Sequence, residues 1–172
     1  MNLQDLNTLL DYNYWARDRM YDALAPLTPE QATRSLGGSF GSIHDTVAHL
    51  FAAEVVWHRR WHGESPMSLL SGDAFPDLAA VRTAWLEHEP KMRAFVNDLG
   101  ESGIGRSFEY KMFNGQPTAS PFWQMLQHVV NHGSYHRGQV TTKLRQLGAQ
   151  PAKSLDMIAF YRSQGLGAGA GG

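Results

Sequence analysis

Glycine and proline divide the chain into four long stretches in which apolar residues recur at helical intervals, and this division limits the fold more than any other feature. From Leu3 to Leu24 the residues Leu6, Leu9, Leu10, Trp15, Met20 and Leu24 follow the pattern until Pro26 stops it. Ser42-Ile-His-Asp45 can cap a second helix that reaches Trp61, near Gly63. A third covers Asp77 to Leu99, with Val81, Trp85, Met92, Phe95 and Leu99 on its apolar side; Pro90 removes a hydrogen bond and is expected to kink or split it. Ser120-Pro121 starts a fourth, and Gly148 with Pro151 stops it.

The connections carry their own signals. Thr28-Pro-Glu-Gln31 predicts a short capped helix, and the segment from Gly63 to Pro76 reads as a loop. Ser107 to Phe113, Asn114-Gly115 and the following Gln-Pro-Thr predict a hairpin, with Pro117 confining its second strand to an edge. The expected fold is all-α: an antiparallel four-helix bundle with a small β-hairpin or extended arm before the last long helix. One domain spans 1–162, in which Leu155 to Tyr161 can add a short turn, and 163–172 form a flexible Gly-rich tail.

Charge and composition narrow the function. Fifteen basic residues against sixteen acidic ones leave a net charge of −1, without the Lys/Arg concentration that reads phosphates, so nucleic acid is not the expected partner. The absence of cysteine excludes disulfides, a thiolate nucleophile and cysteine-rich zinc sites, so any metal must use nitrogen and oxygen ligands. The stretch MNLQDLNTLLDYNYWARDRM is too polar for a signal peptide and no later run approaches a membrane span, which favours a cytoplasmic protein without a membrane partner.

Within the fourth helix, NHGSYHRGQV places His132 and His136 one turn apart, so both rings project in the same direction, at least partly toward the apolar row of Phe122, Leu126, Val129, Val140 and Leu144. Enclosed imidazoles need hydrogen bonds or a metal, and several charged ones would repel each other. Such spacing also occurs by chance in ordinary helices. His49, within VAHLFAAEVVW, the most apolar stretch of the second helix, supplies a third nitrogen. A lone buried His is more often a hydrogen-bonded core residue. The three together favour metal binding, and three protein ligands leave positions for water or substrate, as in catalytic sites.

Asn131-His132-Gly-Ser-Tyr-His136-Arg137-Gly138-Gln139 resembles the NHxxxHRGQ signature of the DinB family, and the YNYWA segment at 12–16, HLFAAEVVW at 49–57, the Asn114-Gly115 hairpin and SLDMIAFY follow in order. The resemblance covers nearly the whole chain. It implies a DinB-like (DinB/YfiT-like) metal-binding four-helix bundle with His49, His132 and His136 as ligands, and a homodimer. It also implies small-molecule chemistry, since related proteins include bacillithiol- or mycothiol-dependent S-transferases and a metal-dependent isomerase. Many members have no known reaction, and nothing here resembles the polymerase that shares the name.

No catalytic residue is identified from the sequence. His128, one turn before His132, is read as a supporting or core group before a further ligand, and Glu54 as a structural hydrogen-bond partner before a general base, because it points about 140° around the helix from His49. Tyr135 and Arg137 border the ligands and can contact an anionic substrate, with surface pairing and packing as the default. The Glu of a zinc peptidase H-E-x-x-H pattern is absent beside His132, where Gly133 stands. His44, His58, His62 and His88 receive no function, and His58 and His62 are expected to be exposed.

Two readings remain: a metal-dependent enzyme on a small-molecule substrate, one form of which is an S-transferase that takes an external low-molecular-weight thiol; or a noncatalytic metal-binding stress-response or interaction protein. Zinc or nickel heads the divalent metals expected, with iron and manganese as alternatives.

Overall fold

The computed structural model describes residues 1–165. Four long helices pack around one core: α1 (Leu3–Leu24), α3 (Ile43–Trp61), α4 (Leu78–Gly103) and α5 (Phe122–Gln146). The short helices α2 (Pro29–Thr33) and α6 (Met157–Ser163) accompany them, and strands β1 (Ser107–Lys111) and β2 (Pro117–Pro121) form an antiparallel hairpin in which Glu109 pairs with Ala119. Part of the expected 163–172 tail, residues 166–172, lies outside the described residues. No described helix is long and apolar enough to cross a membrane.

Local chemistry accounts for the helix starts. Asn2 and Asp5 form a capping box on α1, and Thr28 and Gln31 form another on α2. Ser42 Oγ accepts from the Asp45 amide at α3, and Asp77 accepts from Ala80 at α4. Each cap satisfies amides that the first turn leaves without partners.

The main helix contacts run α1 to α4, α4 to α3, α3 to α5 and α5 to α1. Thus α1 and α3, successive long helices in the chain, face each other diagonally instead of side by side, and so do α4 and α5. Diagonal neighbours need more than a tight turn, which is what the α2 segment and the hairpin provide. The core between them contains Leu6, Leu10, Met20, Ile43, Trp85, Met92, Phe122 and Leu126, each at most 1% exposed. Burying each such side chain contributes roughly 1.5–3 kcal/mol before entropy is counted.

The split expected as one outcome at Pro90 is not found. Helix α4 continues through it, and the non-helical residue is Gly100, at φ 62° and ψ −177°. Pro90 and Leu86 both face solvent, so water can bind the Leu86 carbonyl that loses its amide partner. Gly100 adopts a left-handed φ that a side chain would disfavour.

Candidate metal centre

Helices α3 and α5 bring His49, His132 and His136 together, with one ligand nitrogen from each within 4.8 Å of the others. His49 Nε2 and His132 Nε2 are 3.1 Å apart. Two nitrogens bound to one tetrahedral ion at about 2.05 Å are separated by about 3.3 Å, so the donor type and spacing fit a divalent transition metal. His136 is buried, whereas His49 and His132 are half-buried, which leaves one side of the group toward solvent. The apolar surroundings of His49 are therefore less enclosing than its sequence neighbours imply.

Two of the rings, those of His49 and His132, are held neutral. Burial, then the nearby His136, moves His49 down to about 4 from an ordinary 6.5. Burial followed by His136, His49, His128 and Arg137 takes His132 to about 3. A neutral imidazole keeps the lone pair that a metal requires. His136 Nδ1 lies 2.9 Å from Gln139 Oε1, an arrangement in which the ring donates to the amide oxygen and keeps Nε2 free.

Phe40 stacks on His49, with ring centroids 4.1 Å apart, and meets His136 edge-on at 5.5 Å. Its loop is tied down from α5: Lys143 Nζ donates to the Gly41 carbonyl at 3.2 Å and to that of Gly37. Neither Phe40 nor Lys143 carries a sequence signal for this role, because 103 positions separate the two. Gln139 stood inside the signature, and its spacing of three from His136 was the available clue.

Beneath the histidines, Glu54 is wholly enclosed and accepts from Tyr14 Oη (2.9 Å), Trp85 Nε1 (3.0 Å) and Asn13 Nδ2 (3.1 Å). Burial raises its pKa, and these three hydrogen bonds oppose the rise. The carboxylate is committed to α1 and α4, which fits a structural role. Arg137 is 1% exposed. It donates to Asn13 Oδ1 at 3.0 Å and Ser134 Oγ at 3.2 Å, so it knits α5 to α1 instead of lying on the surface beside a substrate. A void of about 10 Å³, close to the size of one water, lies among Asn13, Glu54, Trp57 and His132.

His128 is exposed and rests against Trp57, with centroids 4.9 Å apart; its ring is 5.8 Å from that of His132. Tyr135 is 66% exposed, with its ring 5.0 Å from His136, at the rim of the group. Asp45 caps α3 and approaches His44, not His49. His58 is half-buried and His88 is buried, in contrast to the exposure expected for His58, because both pack into aromatic surroundings at the end of α3.

Bundle and histidines together define a helical protein with a nitrogen-only site able to hold a metal between two facing helices. The family model of the DinB family matches residues 1–165, and the chain belongs to that family. Protein DinB of Bacillus subtilis (strain 168) is 25% identical over 156 residues, covering 81% of this chain and 84% of the relative. The structure of YfiT from Bacillus subtilis superposes with a TM-score of 0.70 at 12% identity, over 87% of this chain and 91% of that one; it is described as a probable metal-dependent hydrolase with an unusual four-helix bundle topology. A DinB-like protein from Bacillus cereus ATCC 10987 gives a TM-score of 0.58 at 19% identity, over 85% and 95% of the two chains. At these identities the two structures bear on the fold alone.

Proposed function

We propose that the chain is a divalent-metal-dependent enzyme acting on small molecules, with His49, His132 and His136 as the metal ligands. The observation that carries this reading is the convergence of three imidazoles, two of them only half-buried and so open to solvent on one side. YfiT's description as a probable metal-dependent hydrolase supports the same general class. When bound, the ion supplies Lewis acidity, polarising a substrate or lowering the pKa of a water or thiol.

The chain's own residues set the conditions for that chemistry. Gln139 orients His136, Phe40 shields one side of His49 from water, and the Asn13–Glu54–Arg137 hydrogen bonds fix the register of α5 against α1 and α3. Tyr135 and His128 border the histidines and are the groups placed to meet a substrate.

The finer form of the proposal is S-transfer from an external low-molecular-weight thiol to an electrophile, with zinc or nickel as the ion. A chain without cysteine cannot supply the sulfur. Metal-free protein reconstituted separately with zinc, nickel, iron(II) or manganese tests both forms, assayed against thiol–electrophile pairs and against ester and amide substrates. Thiol consumption that needs the ion supports S-transfer; ester or amide cleavage keeps the metalloenzyme and removes the transferase. Inactivity of every reconstituted form contradicts the enzyme. A cytoplasmic homodimer belongs to the same proposal, and light scattering on the purified chain tests the dimer.

The Phe40 ring stacked on His49 favours a second reading, a noncatalytic bundle stabilised by its ion. That reading predicts no exchangeable coordination position and a large loss of stability on chelation.

A further inference from the structure

The far end of α3 carries another histidine pair with the spacing of His132 and His136. His58 stands nine residues beyond His49, roughly 13 Å along the helix axis, and His62 follows one turn later. Their Nε2 atoms are 3.3 Å apart. This is about the separation of two nitrogens on one tetrahedral ion.

We propose that His58 and His62 chelate a second divalent transition-metal ion, distinct from the one at the three-histidine centre. Imidazole pairs suit zinc, nickel and copper(II), and exclude magnesium and calcium, which take oxygen ligands. Among the described residues only His49, His132 and His136 form a convergent group of three, so solvent must complete the coordination at the second pair.

The surroundings fit such a site. His58 is fixed between rings: His88 meets it edge-on with centroids 4.8 Å apart, and Trp61 and Phe95 do so at 6.1 and 6.0 Å. His62 is exposed, which gives an ion access. Both histidines line an open cleft of about 1050 Å³, whose walls also carry the acidic side chains of Asp98 and Glu109. Lys91 and Arg106 on the same walls oppose a bare cation, and the two carboxylates offset them charge for charge. The competing account is an N–H···N hydrogen bond between the rings at the end of a helix, with no affinity for metal.

Titration of the metal-free chain with zinc alone, followed by calorimetry, separates the two. Two equivalents are expected, the tighter at the three-histidine centre. His62→Ala should keep the tighter equivalent and weaken the other at least tenfold, with His62→Gln as a polar check; the side chain is exposed, so the fold is retained. His132→Ala should remove the tighter equivalent and leave the weaker in place. A natural chain without the weaker equivalent, or a His62→Ala chain that binds it unchanged, overturns the second site whatever happens at the first. Loss of the tighter equivalent alone from the natural chain would overturn the first site and leave this one standing.

Discussion

His136 Nδ1 meets the side-chain oxygen of Gln139 at 2.9 Å, across less than one turn of α5. The contact engages Nδ1 and leaves Nε2 free in a ring that packs against those of His49 and His132. Gln139→Leu removes the acceptor without touching the core and should lower metal affinity about 10–100-fold. The urea midpoint of the metal-free chain should stay where it is. Equal affinity in Gln139→Leu and the natural chain would show that the hydrogen bond does not position the ligand.

Glu54 gathers three buried donors from Asn13, Tyr14 and Trp85. In Glu54→Ala each donor loses its acceptor at a cost of ~1–3 kcal/mol, so the chain should lose at least ~3 kcal/mol by equilibrium unfolding. A stable Glu54→Ala protein lacking only activity would instead mark this carboxylate as a proton-transfer group.

Gly133 faces the same network from α5. A Cβ there would lie 2.8 Å from Arg137 Nη1 and 3.0 Å from Asn13 Oδ1. Gly133→Ala must push apart the pair that joins α5 to α1, at an expected cost of about 1–3 kcal/mol. Because His132 is the adjacent residue, zinc affinity should fall with stability. Unchanged thermal unfolding would show that the pair yields without strain.

Acid should weaken the metal-free fold in a defined window. His49, His58 and His88 are held at about 4 and His132 at about 3, all lowered from 6.5 and all primarily by burial. The folded chain keeps these rings neutral, whereas the unfolded chain takes up protons as soon as pH falls below 6.5. Stability is therefore fully present above pH 6.5, declines as pH falls through about 4, and levels off below about 3, once the folded rings also protonate. Denaturant midpoints measured across that window check the sign, and a flat profile would contradict the burial of these rings.

Much of this molecule can be read along one helix at a time. Leu3 to Leu24 shows its period and its stop at Pro26, and the Thr28 and Ser42 caps announce the next two starts, because these signals are local. His132 and His136 were legible for the same reason; His49 joined them through its place in the most apolar stretch of the second helix, and the family resemblance implied the same three residues. What could not be read depends on partners distant in the chain. Arg137 is buried because Asn13, 124 positions away, accepts from it. Phe40 lies over His49 because Lys143 holds its loop. Pro90 looked like a break because its cost depends on whether Leu86 faces water, which one-dimensional periodicity does not show.

The convergence of His49 Nε2 and His132 Nε2 at 3.1 Å is the centre of this account, and metal content per chain tests it most directly. Untagged natural protein and His132→Ala should be purified without added metal or chelator and analysed side by side. The account predicts near-stoichiometric zinc, nickel or a related divalent metal in the natural chain, beyond any carried at His58 and His62, and its loss in the variant. Natural protein that holds no such ion, and takes none up on reconstitution, would contradict it.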